Sequence, residues 1–134
     1  MTSIKPLPAT SDELAGARIL VFEDEILSAL DVSAMLTDAG AEVAGPATTV
    51  RSATQIAQTE DLSAATLDVR LGRETTERIA AILSERSIPF LFYTGEALPA
   101  EMRARWSDCI VLIKPVRQSI LVAAMRRMIR GHRS

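Results

Sequence analysis

Ala64-Ala-Thr-Leu-Asp-Val-Arg-Leu71 is the stretch whose reading decides the fold: an apolar strand that carries one carboxylate, Asp68, near its C-terminal end. An ionised acid in an apolar layer is costly unless it is paired, bound to a cation or open to a crevice, and a strand tip offers the last of these. Two other apolar runs end in charge. Arg18-Ile-Leu-Val-Phe22 leads into Glu23 and Asp24, and Cys109-Ile-Val-Leu-Ile113 leads into Lys114.

Between these runs lie segments of helical period. The pattern predicts a helix over 25–39, with Ile26, Ala29, Leu30 and Leu36 near one face and Gly40 as its stop. A strand over 42–44 then runs into Gly45-Pro46, followed by a helix over 50–60 and a strand over 64–69. A helix over 74–86 turns Ile79, Ile82 and Leu83 inward, and a strand over 88–93 follows. A short helix over 98–106, a strand over 110–113 and a last helix over 116–130 complete the series, the last with Ile120, Leu121, Ala124, Met125 and Met128 on its apolar side. Strands that alternate with helices and read as unbroken apolar runs indicate a parallel sheet covered on both faces. The expected fold is therefore α/β, a doubly wound, flavodoxin-like sheet of five parallel strands in the order 2-1-3-4-5, flanked by five helices. Residues 1–17, with Pro6 and Pro8, read as an N-terminal arm or linker; 18–131 as the domain; 132–134 as a tail.

Composition narrows the function classes. A chain of 134 residues that is 48% hydrophobic can build one sizeable core, and a net charge of −2 does not call for a polyanionic partner. The single Cys109 excludes an internal disulfide framework, and a cytoplasmic setting is the default expectation. No apolar run approaches the roughly 20 residues of a membrane span, and the first residues lack the pattern of a signal peptide. Aromatic content of 4% without a basic tract argues against single-stranded nucleic acid. Arg117, Arg126, Arg127, Arg130 and Arg133 give the C-terminal region a basic face, which suits solvent or an acidic protein more than nucleic acid. His132 reads as a solvated tail residue.

Ligands of such sheets bind beyond the carboxyl ends of the strands, where strand order reverses, and the order 2-1-3-4-5 makes strands one and three neighbours. Glu23 and Asp24 then come within side-chain reach of Asp68, with Thr94 and Lys114 on the far side. Three carboxylates that close demand a raised pKa or a cation, and hard oxygen ligands are what Mg²⁺ uses. With Mg²⁺ and Lys114 to hold an incoming phosphoryl group, Asp68 as nucleophile and the Thr94 hydroxyl as donor, the set fits formation of an aspartyl phosphate.

From about Arg18 to Arg130, these residues resemble the receiver domain of two-component response regulators. The resemblance implies that Glu23 and Asp24 form the Mg²⁺-binding acidic pair and that Asp68 is the phosphoacceptor. It further implies that Thr94, followed by Gly95, is the hydroxyl residue ending strand four, and that Lys114 is the lysine before a cis-proline, here Pro115. The backbone carbonyl of Arg70 becomes a further metal ligand. Pro89-Phe-Leu-Phe-Tyr-Thr-Gly95 is similar to a branch of short single-domain receivers with a Phe-Ala-Thr-Gly stretch, with Tyr93 in place of the Ala. Most receivers carry a Tyr or Phe three residues before the lysine, where this chain has Val111, so the usual aromatic switch is not expected here. Tyr93 and Trp106 are the candidate substitutes, although alternation along the strand points Tyr93 away from Thr94 and under a helix.

The function implied is that of a receiver phosphorylated on Asp68 by a phosphohistidine of a sensor histidine kinase or histidine phosphotransfer protein. It would catalyse its own phosphotransfer and dephosphorylation rather than act as a conventional enzyme, and signal through an unknown downstream protein or serve as a phosphate shuttle or sink. The chain ends too soon for a DNA-binding output domain; it stands alone or forms the receiver segment of a hybrid kinase, and a homodimer is an open option. The alternatives are a degenerate receiver that binds partners without phosphorylation and an aspartate-based phosphatase, which wants a second Asp where Arg70 stands. Nucleotide or flavin binding fits less well, because no glycine-rich turn follows the first strand.

Overall fold

The computed structural model describes residues 11–69 and 73–131. Its strands β1 (Arg18–Phe22), β2 (Glu42–Ala47), β3 (Ala64–Leu67), β4 (Phe90–Thr94) and β5 (Val111–Ile113) form one sheet in the order β2-β1-β3-β4-β5. All four pairings are parallel. The helices α1 (Ile26–Asp38), α2 (Val50–Thr59), α3 (Arg73–Glu85), α4 (Ala100–Arg105) and α5 (Gln118–Gly131) alternate with the strands. The doubly wound α/β class and strand order expected from the sequence are those observed.

Two apolar layers hold the sheet. Leu20, Phe22, Ala65, Leu67, Phe90 and Phe92 pack with Ala53, Ala57, Ile79, Leu83 and Met102 from α2, α3 and α4. On the other face Ile19, Val21, Ala64, Leu91 and Tyr93 pack with Val32, Leu36, Leu121, Val122 and Met125 from α1 and α5. Consecutive strand residues thus feed opposite layers, and a strand buried on both faces shows no polar alternation. Of the segment expected to be an arm, 1–10 lie outside the described residues; in the rest, Leu14 and Ala17 join the α1/α5 layer, and the Leu14 N–H donates to the Ala39 carbonyl at 2.8 Å.

Several boundaries move. β2 continues past Ala44 to Ala47 through a cis Gly45–Pro46 peptide. Gly45 is required there: its φ is +106°, and a Cβ would lie 2.5 Å from the Ala47 nitrogen. β3 stops at Leu67, so Asp68 is the first residue beyond the strand.

Two apolar faces also differ from expectation. Ile26 and Leu30 on α1 are 56% and 54% exposed, and the buried stripe is Ala29, Val32 and Leu36. Ser28, next to Ala29, turns inward, its Oγ donating to Glu23 Oε1 at 2.7 Å, and the helix is rotated accordingly. On α5 the stripe is Leu121, Val122 and Met125, leaving Ile120 49% exposed on its flank.

Val32→Ala is expected to cost about 2 kcal/mol in urea unfolding, by opening space in a closed layer. Leu30→Ala should change stability by less than about 0.5 kcal/mol, as at a surface site. Equal losses would contradict the observed rotation of α1.

Candidate functional site

The crevice follows from strand register. Phe22 on β1 pairs with Leu67 on β3, so the next residues, Glu23 and Asp68, leave the sheet side by side. The Asp68 N–H donates to the Phe22 carbonyl at 3.0 Å, and the Glu23 N–H to the Ala47 carbonyl at 3.0 Å. On the other side the Lys114 N–H donates to the Thr94 carbonyl at 2.8 Å, which fixes the root of the lysine beside the end of β4. Lys114 precedes a cis peptide to Pro115, as the resemblance implied.

The side chains converge. The Lys114 Nζ donates to Glu23 Oε1 at 2.5 Å and to Ser28 Oγ at 3.0 Å, and it stands 3.4 Å from Asp68 Oδ1. Ser28 Oγ in turn donates to Glu23 Oε1 at 2.7 Å. Glu23 and Asp68 are buried, whereas Asp24 is exposed. Glu25 caps α1, its Oε1 accepting the Ser28 N–H at 2.8 Å.

The electrostatics are unbalanced. Burial, and then the Glu23 charge, push the Asp68 carboxyl up to about 7, against the opposing pull of Lys114. Burial also raises Glu23, offset by its hydrogen bonds from Lys114 and Ser28. Both carboxyl oxygens of Asp68 and Oε2 of Glu23 are buried without a hydrogen-bond partner among the described residues. Groups of that kind require either protons or a cation.

These orphaned oxygens fit a hard divalent ion such as Mg²⁺. As the side chains stand, no three acidic, His or Cys groups among the described residues form a ready metal cluster, and the Lys114 ammonium lies between Glu23 and Asp68. The expected ligand at the Arg70 carbonyl lies outside the described residues.

Thr94 is buried, and its Oγ1 donates to the Val69 carbonyl at 2.8 Å, tying β4 to the segment after Asp68. Buried Thr76, on α3, donates to the Asp68 carbonyl at 3.0 Å and anchors the same segment from the other side. Sequence reading missed Ser28 and Thr76. Neither carried a local signal: the inward turn of Ser28 depends on its partners Glu23 and Lys114, and that of Thr76 on the Asp68 carbonyl.

The aromatic candidates separate. Trp106 stacks edge-on against Phe90 at 5.3 Å between ring centroids, at the opposite end of β4 from Thr94 and about 13 Å along the strand. It is no substitute for a switch residue at the crevice. Tyr93 is buried in the α1/α5 layer, as alternation predicted, but its hydroxyl accepts the Val116 N–H at 3.2 Å and Lys114 Nζ lies 5.4 Å from its ring centroid. Val111 packs on the opposite, α2/α3/α4 layer.

No family model matches the sequence, and no curated protein matches it. Solved structures do. The chain superposes on a response regulator receiver protein from Sinorhizobium medicae with a TM-score of 0.74 and 24% identity, over 87% of this chain and 97% of the other. The non-phosphorylated HemR receiver domain of Leptospira biflexa matches with a TM-score of 0.71 and 24% identity, over 84% and 94%. The chemotaxis protein CheY4 of Vibrio cholerae matches with a TM-score of 0.69 and 24% identity, over 85% and 99%. At this level of identity the likeness shows the fold: the chain has the receiver architecture that its motifs led one to expect. No helix among the described residues is long and apolar enough to cross a membrane.

A carboxyl raised to about 7 from an unfolded value near 3.8 is neutral in the folded chain while ionised in the unfolded one between those limits. Its favourable contribution is complete below pH 4 and is lost as pH rises through 7. Asp68→Asn should therefore stabilise the protein by on the order of 2–4 kcal/mol more at pH 8 than at pH 4 in denaturant unfolding. A difference near zero would mean that Asp68 is not held out of its charge-favouring environment.

Proposed function

We propose that this chain is a phosphoacceptor receiver of two-component signal transduction, in which Asp68 takes a phosphoryl group from a phosphohistidine of a sensor histidine kinase or histidine phosphotransfer protein. The observation that carries this reading is the pair of buried Asp68 oxygens at a strand end, which have no hydrogen-bond partner among the described residues and of which Oδ1 stands 3.4 Å from the Lys114 ammonium. A structural acid would be satisfied by hydrogen bonds; an acceptor must keep a lone pair available.

In the transfer, an Asp68 carboxylate oxygen attacks phosphorus, the phosphorus–nitrogen bond of the donor breaks, and the imidazole leaves with the bonding electrons and takes a proton. Lys114 pairs with the negative phosphoryl oxygens, and Thr94 donates its hydroxyl to one of them once it exchanges the Val69 carbonyl for that partner. Glu23, Asp24, Asp68 and the carbonyl of Arg70 would hold Mg²⁺, which when bound supplies the positive charge that keeps Asp68 ionised near neutral pH. Hydrolysis of the acyl phosphate by water at the same crevice returns Asp68 and releases phosphate.

The donor meets an apolar rim. Ile26, Leu27 and Leu30 are exposed on the N-terminal half of α1, which begins one residue, the cap Glu25, after Asp24. Output passes to a protein partner, to a second copy of the chain or, in a shuttle role, to another histidine; a cytoplasmic site of action is part of the proposal.

One observation favours a second reading, a receiver fold that binds its partner without phosphorylation. Lys114 is drawn more closely to Glu23, at 2.5 Å, than to Asp68, and a locked ion pair of that kind would suit an inert crevice.

Incubation with phosphoramidate and Mg²⁺ separates the two by intact mass. A receiver gains one phosphoryl group, and Asp68→Asn gains none; an unmodified wild type would favour the inert module. Asp24→Ala should lower Mg²⁺ affinity at least tenfold in calorimetry, and an unchanged affinity would remove Asp24 from the ligand set. Lys114→Ala should leave Mg²⁺ binding within about threefold of wild type and slow adduct formation at least tenfold; loss of metal binding would reverse its assigned role.

A further inference from the structure

Lys114 has to serve two acids in turn. It bridges Glu23 and Asp68 at rest, yet a phosphoryl group on Asp68 requires its ammonium on the Asp68 side. A four-carbon side chain with free rotors is poorly placed for this unless something defines its path. The residue in position to do so is Tyr93.

Tyr93 is 3% exposed and is the chain's single tyrosine. It touches the lysine segment twice. Its ring lies 5.4 Å from Lys114 Nζ, within range for a cation–π attraction, and its hydroxyl accepts the Val116 N–H at 3.2 Å, two residues beyond the lysine. A third tie comes from the adjacent residue, since the Thr94 carbonyl accepts the Lys114 N–H at 2.8 Å. The register explains why one strand does all this: Tyr93 pairs with Leu112 and Thr94 with Ile113, so the end of β4 lies against the root of the 114–117 segment.

We propose that Tyr93 is a positioning residue for Lys114, its ring confining the ammonium to the crevice side and its hydroxyl pinning the β5–α5 segment to β4. This inference rests on the phosphoacceptor reading for its consequence, but not for its geometry. Tyr93 sits in the α1/α5 layer, on the opposite face of the sheet from Val111, so it acts on the lysine directly rather than as a replacement for an aromatic at 111. Movement of Lys114 toward a phosphoryl group on Asp68 is thereby carried to Val116 and the start of α5.

Two measurements test it. The chain's lysines are Lys5 and Lys114, so Lys5→Arg assigns the Lys114 ε-methylene resonance by NMR. That resonance should be shifted upfield by the ring in wild type and in Tyr93→Phe and lose the shift in Tyr93→Leu. The second measurement is the rate of adduct formation with phosphoramidate at saturating Mg²⁺. Tyr93→Phe should slow it roughly threefold to tenfold with unchanged donor concentration dependence and Mg²⁺ affinity. On a Lys114→Ala background the same change should slow it no further, because the effect passes through the lysine. An unshifted Lys114 resonance in wild type overturns the proposal, as does a Tyr93→Phe effect that multiplies undiminished onto Lys114→Ala. If wild type forms no adduct, the phosphoacceptor reading falls, and the resonance alone decides whether Tyr93 positions Lys114.

Discussion

The interaction on which the site depends is the contact of one ammonium with two buried carboxylates. Lys114 reaches Glu23 and Asp68 across the crevice, and a single positive charge cannot balance both. The imbalance appears in the raised Asp68 carboxyl and in three buried oxygens without hydrogen bonds among the described residues. Burial strengthens every charge interaction there and penalises any left uncompensated. On the phosphoacceptor reading, this imbalance at the ends of three strands is what a cation and a phosphoryl group would each relieve.

The apolar layers make the imbalance sharp. β1 and β3 are buried on both faces and run in register to Phe22 and Leu67, so the two acids emerge together with little freedom of position. The surrounding backbone is tied from several directions, through Thr94 to Val69, Thr76 to Asp68 and the Lys114 N–H to Thr94. On the proposed mechanism, the side chains that move, Lys114 and Thr94, would work from fixed roots, as a preorganised electrostatic site requires.

Much of this was legible in the sequence because it rests on strong local signals. Continuous apolar runs ending in charge located the strands and the crevice, and the doubly wound order then made Glu23 and Asp68 neighbours without further information. The helix faces were less legible. On α1 the apolar period suggested that Ile26 and Leu30 point inward, but a polar residue, Ser28, occupies the inward stripe because Glu23 and Lys114 provide its partners. Periodicity scores hydrophobicity and cannot register a tertiary hydrogen bond. Tyr93 was legible by half: strand alternation gave its layer, whereas its contacts with Lys114 and Val116 depend on the β4–β5 register. The Arg70 carbonyl, drawn from resemblance, lies outside the described residues.

The central claim is that Asp68 itself carries the phosphoryl group. An acyl phosphate is reduced by borohydride to an alcohol, which converts a phosphorylated aspartate to homoserine. Peptide mapping after treatment with phosphoramidate, Mg²⁺ and borohydride should find homoserine at position 68, in an amount that falls when Mg²⁺ is withheld. Homoserine at Asp24 or Glu23-derived alcohol with Asp68 unchanged, or no reduced residue at all, would contradict the account.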